Sequence, residues 1–204
     1  MAGAPRHRVP LGTTRVETRA GNSRFIATLA RAGSVEEARA FIASVRAEMP
    51  DATHHVHAFR AGFGASVTEG MSDDGEPSGT SGPPVLAVLR GSGLGDVAVV
   101  VTRYFGGTKL GTGGLVSAYG DAAKAVVEAA PTEEKVERAA VRLDVPYALL
   151  ETARRALHEA GATGVREDFG AFVAIEAAVP VDAREELARV LRDASAGHVE
   201  LRDA

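Results

Sequence analysis

The chain of 204 residues contains no cysteine. That excludes thiolate nucleophiles, disulfides and cysteine-ligated metals. Lysine is almost as scarce: Lys109, Lys124 and Lys135 stand alone, and the other 20 cations are arginines. No apolar run is longer than five residues, as in Val97 to Val101, against the roughly 20 needed to cross a bilayer. Residues 1–20 contain Arg and Pro but no apolar signal core, so a cytoplasmic protein without membrane contact is expected. The net charge of −4 is unevenly spread. Residues 1–130 carry 13 cations against 12 anions, and residues 131–204 carry 10 against 15. Neither half has the strongly basic balance of a non-specific nucleic-acid grip, so any anion site must be a local cluster.

What is present is an ordinary globular composition, 45% hydrophobic and 25% charged, enough for one large domain or two small ones. The first 14 residues read as a flexible arm. Two short strands follow around a turn at Gly21-Asn22, and then a helix opened by the capping box of Ser34 and Glu37 and stopped at Pro50. "THHVHAFRAG" alternates as a strand. "VLAVLRGS" predicts one or two helical turns, "DVAVVVTRY" a buried strand, and Leu115, Tyr119, Ala122, Ala123, Val126 and Val127 one helix stripe. "APTEEK", Ala130 to Lys135, has the Pro and the burst of charge of a linker, which is set at 131–136 between a domain at 15–130 and another at 137–204. The second domain gives strand, helix from Pro146 to Gly161, a hairpin near Gly170, a helix opened by an Asp182/Glu185 capping box, and a closing strand "HVEL". That is the βαββαβ order of a ferredoxin-like domain.

Two stretches do not look like core. "SDDGEPSGTSG" carries Asp73, Asp74 and Glu76. "TRYFGGTKLGTGG" leaves a strand and enters a helix at Gly113-Gly114, flanked by Arg103 and Lys109, with Tyr104 and Phe105 as stacking rings. A Gly-rich strand-to-helix turn offers backbone N–H groups to an anion, although neither the P-loop nor the dinucleotide spacing is met. The glycines also serve tight turns. The three carboxylates could hold Mg²⁺ or act as acid and base, or merely cap turns. His55 and His57 share one strand face and His54 the other, so two histidines with a loop carboxylate are a further metal reading. Ser72, Ser78 and Ser81 have no evident base. A third alternative pairs Arg103 or Lys109 with the acidic loop as a rigid clamp.

"SDDGEPSGTSGPP" followed by "VVVTRYFGGTKLGTGGLVSAYGDA", with the strand "ATHHVHAFR", resembles the signature of the YigZ/IMPACT family. The resemblance runs from Val16 nearly to the end of the chain. It implies an α+β chain of two domains: an N-terminal α/β two-layer domain like one in a small-subunit ribosomal protein and domain IV of elongation factor G, and a ferredoxin-like C-terminal domain like domain V of that factor. Eukaryotic relatives regulate translation. The family pattern falls on His54, Asp73, Asp74, Gly75, Glu76, Pro77, Gly79, Thr80 and Gly82. It falls again on Arg103, Tyr104, Phe105, Gly106, Gly107, Leu110, Gly111, Gly113, Gly114 and Tyr119. Together with Lys109 these imply one groove for an anion or nucleic acid. The chain departs from the pattern at Pro83 and Ser117, where relatives often carry cations, at Val56, often Cys, and at Ser81, often Ala. The implied partners are RNA, the ribosome or a translation factor, with no cofactor; monomer and dimer stay open. The alternatives are a Mg²⁺-dependent enzyme on a phosphorylated small molecule and a protein–protein adaptor.

Overall fold

The computed structural model describes residues 6–62 and 67–204. In chain order the first elements are β1 (Arg6–Pro10), β2 (Thr14–Ala20), β3 (Ser23–Arg31), α1 (Val35–Glu48), β4 (His54–Ala61), β5 (Thr68–Ser72), α2 (Gly82–Ser92), β6 (Val97–Tyr104), α3 (Gly111–Ala129) and β7 (Thr132–Val136). Five of the strands form one sheet in the order β2-β3-β6-β4-β5, paired antiparallel throughout. The run Val97 to Val101 is continuous because β6 lies at the centre with both faces covered. Val97, Val99 and Val101 join Phe25, Ala27, Leu29, Val56 and Ala58 beneath α2 and α3. Ala98 and Val100 pack with Phe59 against Ala38, Ile42 and Val45 of α1. The sheet and the α2/α3 layer form the expected two layers, and α1 adds a helix on the opposite face.

Local chemistry accounts for the helix starts. Ser34 Oγ accepts the Glu37 N–H at 3.1 Å, and the Glu37 carboxylate reaches back to the Gly33 N–H at 2.7 Å. The helix α2 is longer than the one or two turns expected, at 11 residues. Its N-terminus is held from outside: Asp73 Oδ1 accepts the N–H groups of Ser81 at 3.0 Å and Gly82 at 2.8 Å. A cap supplied from eight or nine residues upstream leaves no local signature.

Two segments differ from expectation. Residues 6–10, placed in a flexible arm, form β1, with Val9 fully buried; residues 1–5 of that arm lie outside the described part. Residues 132–136, read as linker, form β7, which pairs with β1. Both strands are short and mostly polar, and long-range contacts hold them: their pairing with each other, the Gly95 N–H donating to the Arg8 carbonyl at 3.0 Å, and Lys135 Nζ donating to the buried Asp96 carboxylate at 2.5 Å. β5 is likewise a strand that no alternation announces.

Cα packing divides the chain into a unit from His7 to Lys135 and another carried by Val136–Ala204. The second holds β8 (Arg138–Val145), α4 (Leu150–Glu159), β9 (Thr163–Phe169), β10 (Val173–Pro180), α5 (Arg184–Ala194) and β11 (Arg202–Asp203), with sheet order β11-β8-β10-β9. Val141, Leu143 and Val145 meet Val173, Ile175 and Val179 beneath Leu157, Leu187 and Leu191. The ferredoxin-like order is therefore present. Its last strand is residues 202–203 rather than "HVEL", and Val199 of that stretch is buried as packing. The Asp182/Glu185 box does not form: residues 181–183 make a 3-10 turn and α5 starts without a side-chain cap.

Candidate functional site

Strand phase places the central charge. Arg103 continues the inward-facing row Val97, Val99, Val101, so its guanidinium enters the α3 side of the sheet and is only 4% exposed. It stands in register with Phe25 on β3 and His54 on β4. A charge there needs a partner. Arg103 Nη1 donates to Glu76 Oε1 at 2.6 Å, and Nη2 to Ser23 Oγ at 3.2 Å. The guanidinium lies 5.4 Å from the Phe25 ring centroid and 5.3 Å from that of Phe105, in cation–π range of both. The buried Tyr119 hydroxyl donates to the same Glu76 oxygen at 2.7 Å. Burial first, and then the Glu76 bond, push the Tyr119 hydroxyl far above the phenol range. The acidic and Gly-rich stretches thus meet at a buried Arg–Glu pair.

The other two carboxylates build the loop. Asp73 takes the Ser81 hydroxyl at 2.8 Å and the Gly79 N–H at 2.8 Å besides the α2 N–H groups. Burial pushes its carboxyl up, but these donors outweigh that and hold it below the usual carboxylate range. Asp74 accepts the His55 N–H at 2.6 Å and pairs with Arg46. Here too burial raises and the His55 N–H and Arg46 lower, with a lowered result. Thr80 Oγ1 closes the turn onto the Pro77 carbonyl at 2.7 Å. Among the described residues no three His, Asp or Glu side chains gather as metal ligands. The donors proposed for Mg²⁺ do not converge, since each carboxylate is already engaged. The two-histidine reading finds no support either: His55 Nδ1 lies 3.1 Å from Thr102 Oγ1 and His57 Nδ1 3.5 Å from the His55 carbonyl, so each ring has a partner of its own. Burial pushes both His55 and His57 toward the neutral form.

Beside the Arg103–Glu76 pair opens a cleft of about 420 Å³, lined by Thr53, His54, Glu76, Pro77, Arg103, Phe105, Lys109, Leu110, Gly111, Thr112 and Leu115. The N-terminus of α3 forms one wall, with Leu110 as N-cap and no side chain capping it. First-turn N–H groups without a cap, at the positive end of a 19-residue helix, favour an anion. Among the described residues no carboxylate lies in ion-pair range of Lys109. Phe105 is 46% exposed and its ring lines the opening. His54 Nδ1 lies 2.8 Å from the Asp74 carbonyl, which can only accept, so Nδ1 carries hydrogen. His54 Nε2 lies 3.9 Å from Glu76 Oε1.

Several expected site residues stand elsewhere. Tyr104, one residue on from Arg103, faces the α1 side; its hydroxyl donates to Asp51 at 3.1 Å and Arg24 lies over its ring. Gly106 is a close-packing position, where a Cβ would come 2.0 Å from the Asn22 oxygen. Gly107 turns the chain at φ +83°, and Gly113 and Gly114 belong to the first turn of α3 without lining the cleft. Asp73, Asp74 and Thr80 shape the loop behind it. Ser23 and Phe25 join the site through register and tertiary approach, which no spacing in the chain announces, while Thr53 and Thr112 line the cleft from within the stretches around His54 and Lys109.

Two family models match the chain: the Impact N-terminal domain over residues 21–127, and the domain of unknown function DUF1949 over residues 143–198. The IMPACT family member YigZ of Escherichia coli (strain K12) is 40% identical over 194 residues, covering 95% of both chains. The chain belongs to the IMPACT family. A second family member, from Haemophilus influenzae, is 44% identical over 148 residues, 72% of each chain. A crystal structure described as that of a hypothetical protein covers 100% of this chain and 98% of its own, with 38% identity and a TM-score of 0.73. The whole cleft falls within the Impact N-terminal match. Neither Pro83 nor Ser117 is among the residues that line it.

Proposed function

We propose that this IMPACT-family chain is a translation-associated RNA-binding module that seats one nucleotide of a single strand, ribosomal or free, in the cleft at the start of α3. The observation that carries this reading is the pairing of an uncapped helix N-terminus and unneutralised Lys109 with the exposed Phe105 ring in one opening. The first two suit a phosphate, and the third suits a base, by stacking. Arg103 supplies rigidity more than charge, because Glu76 neutralises it. The cytoplasm, where ribosomes work, is the setting this implies.

A catalytic Mg²⁺ reading is less favoured, since Asp73, Asp74 and Glu76 are engaged elsewhere. The test is fluorescence anisotropy with a short oligouridylate, together with cofractionation with ribosomes in sucrose gradients at low salt. Lys109→Ala with Phe105→Ala should weaken binding about tenfold or more, from one phosphate contact and one stack. The salt dependence should be shallow, with a log–log slope near about −1. Wild-type chain that retains neither RNA nor ribosomes at low salt would overturn the proposal, and capture of a protein alone would favour the adaptor.

A further inference from the structure

His54 is the histidine among the residues lining the cleft, and imidazole is the side-chain type that exchanges a proton near neutral pH. Its Nδ1–H is tied to the Asp74 carbonyl at 2.8 Å. In the neutral ring, therefore, Nε2 carries a lone pair, and it carries it 3.9 Å from the Glu76 carboxylate. Two electron-rich groups face the same opening. We propose that His54 is the proton-dependent phosphate contact of the cleft: an RNA phosphate binds together with one proton from solvent, taken up at Nε2. This rests on the RNA reading above and adds to it a residue and a sign.

The surroundings isolate this proton. From the loop after β5 come Glu76 and the Asp74 carbonyl; the Asp74 carboxylate is engaged by the His55 N–H and Arg46. From β6 comes Arg103, and from α3 the Tyr119 hydroxyl, both already donating to Glu76 Oε1. Lys109 lines the opening from the loop before α3. The neighbouring His55 and His57 alternate onto the other sheet face, where burial favours their neutral forms. With Arg103 and Glu76 cancelling, an empty cleft holds Lys109 as its net charge. An arriving phosphate adds one negative charge, and protonated Nε2 donates toward it while relieving the contact with Glu76. The proton is favoured in the complex, so affinity is greatest in mild acid and falls as pH rises through neutrality.

The probe is a 3′-fluorescein oligouridylate with a 5′-hydroxyl, so that no phosphomonoester titrates in the range. One opposite charge in contact shifts a proton equilibrium about tenfold or more. Affinity of the full chain should therefore fall about tenfold between about pH 5.5 and about pH 8. His54→Asn keeps an N–H donor in the place of Nδ1 and removes the titration. It should bind with a flat profile near the wild-type affinity at high pH. A His54→Asn profile that keeps the wild-type slope, or a flat wild-type profile, overturns the inference and leaves the RNA reading standing. No binding at any pH overturns both. As a check independent of any variant, the His54 Cε1–H resonance of the wild-type chain should move toward the imidazolium position when RNA is added near neutral pH. A stationary resonance in an RNA-saturated sample counts against the proton.

Discussion

Removing Glu76 should expose how the two irregular loops are held together. Arg103 is 4% exposed, and its counter-charge is the Glu76 carboxylate at 2.6 Å. In Glu76→Ala the guanidinium stays buried without a partner charge, which costs about 3 to 5 kcal/mol. The Tyr119 hydroxyl also loses its acceptor, adding about 1 kcal/mol. Ser23 Oγ and the rings of Phe25 and Phe105 contact the guanidinium in both forms and so do not enter the difference. The net expectation is about 4 to 6 kcal/mol. Glu76→Gln keeps an oxygen for both donors and should cost about 2 kcal/mol, the difference between charge-assisted and neutral hydrogen bonds. The double variant Glu76→Leu with Arg103→Met removes both charges and should return to within about 1 kcal/mol of wild type. The chain has no tryptophan, so the assay is urea-dependent amide hydrogen exchange read on peptides of β3 and β6. A Glu76→Ala cost under about 1 kcal/mol, or a double variant as unstable as that single one, would refute the buried-pair account.

Asp73→Ala should cost about 2 kcal/mol by uncapping α2, with the lost protection concentrated in the amides of Ser81 and Gly82. Gly106→Ala forces a Cβ to 2.0 Å from the Asn22 oxygen and should cost at least about 2 kcal/mol, visible as a lowered Tm. The acid limb has a defined sign. Asp73 and Asp74 are held below their ordinary values in the folded chain, so their contribution is present above the unfolded carboxylate range near about pH 4. It is lost as pH falls through the lower folded values. Asp74→Asn should therefore lower stability at neutral pH and flatten its decline in acid, measured as Tm against pH; an unchanged acid limb would contradict the assignment.

The fold was legible wherever burial follows local periodicity. The Val97–Val101 run announced a strand covered on both faces, and Val141, Leu143 and Val145 announced the first strand of the ferredoxin-like unit, because alternation and stripe are imposed by which side meets the core. Ser34 and Glu37 marked a helix start since a capping box spans four residues. β1 and β7 were not legible, being polar strands that exist through long-range pairing and the Lys135–Asp96 bond. At the site, the inward phase of Arg103 was present in the chain, as an odd-numbered position after Val97, Val99 and Val101.

The partner of that arginine was another matter. Composition and motif placed three carboxylates, a Gly-rich turn and a few cations in one chain and identified their family. They did not distribute the roles, because Asp73, Asp74 and Glu76 differ only in what reaches them. Tertiary structure decided that Asp73 caps α2, that Asp74 ties β4 to α1, and that Glu76 alone turns inward to meet Arg103 and Tyr119. The reason is desolvation: a guanidinium placed on the core side of a central strand must be neutralised by whichever carboxylate the fold brings within reach. Only then is Lys109 left unneutralised at the mouth of the cleft.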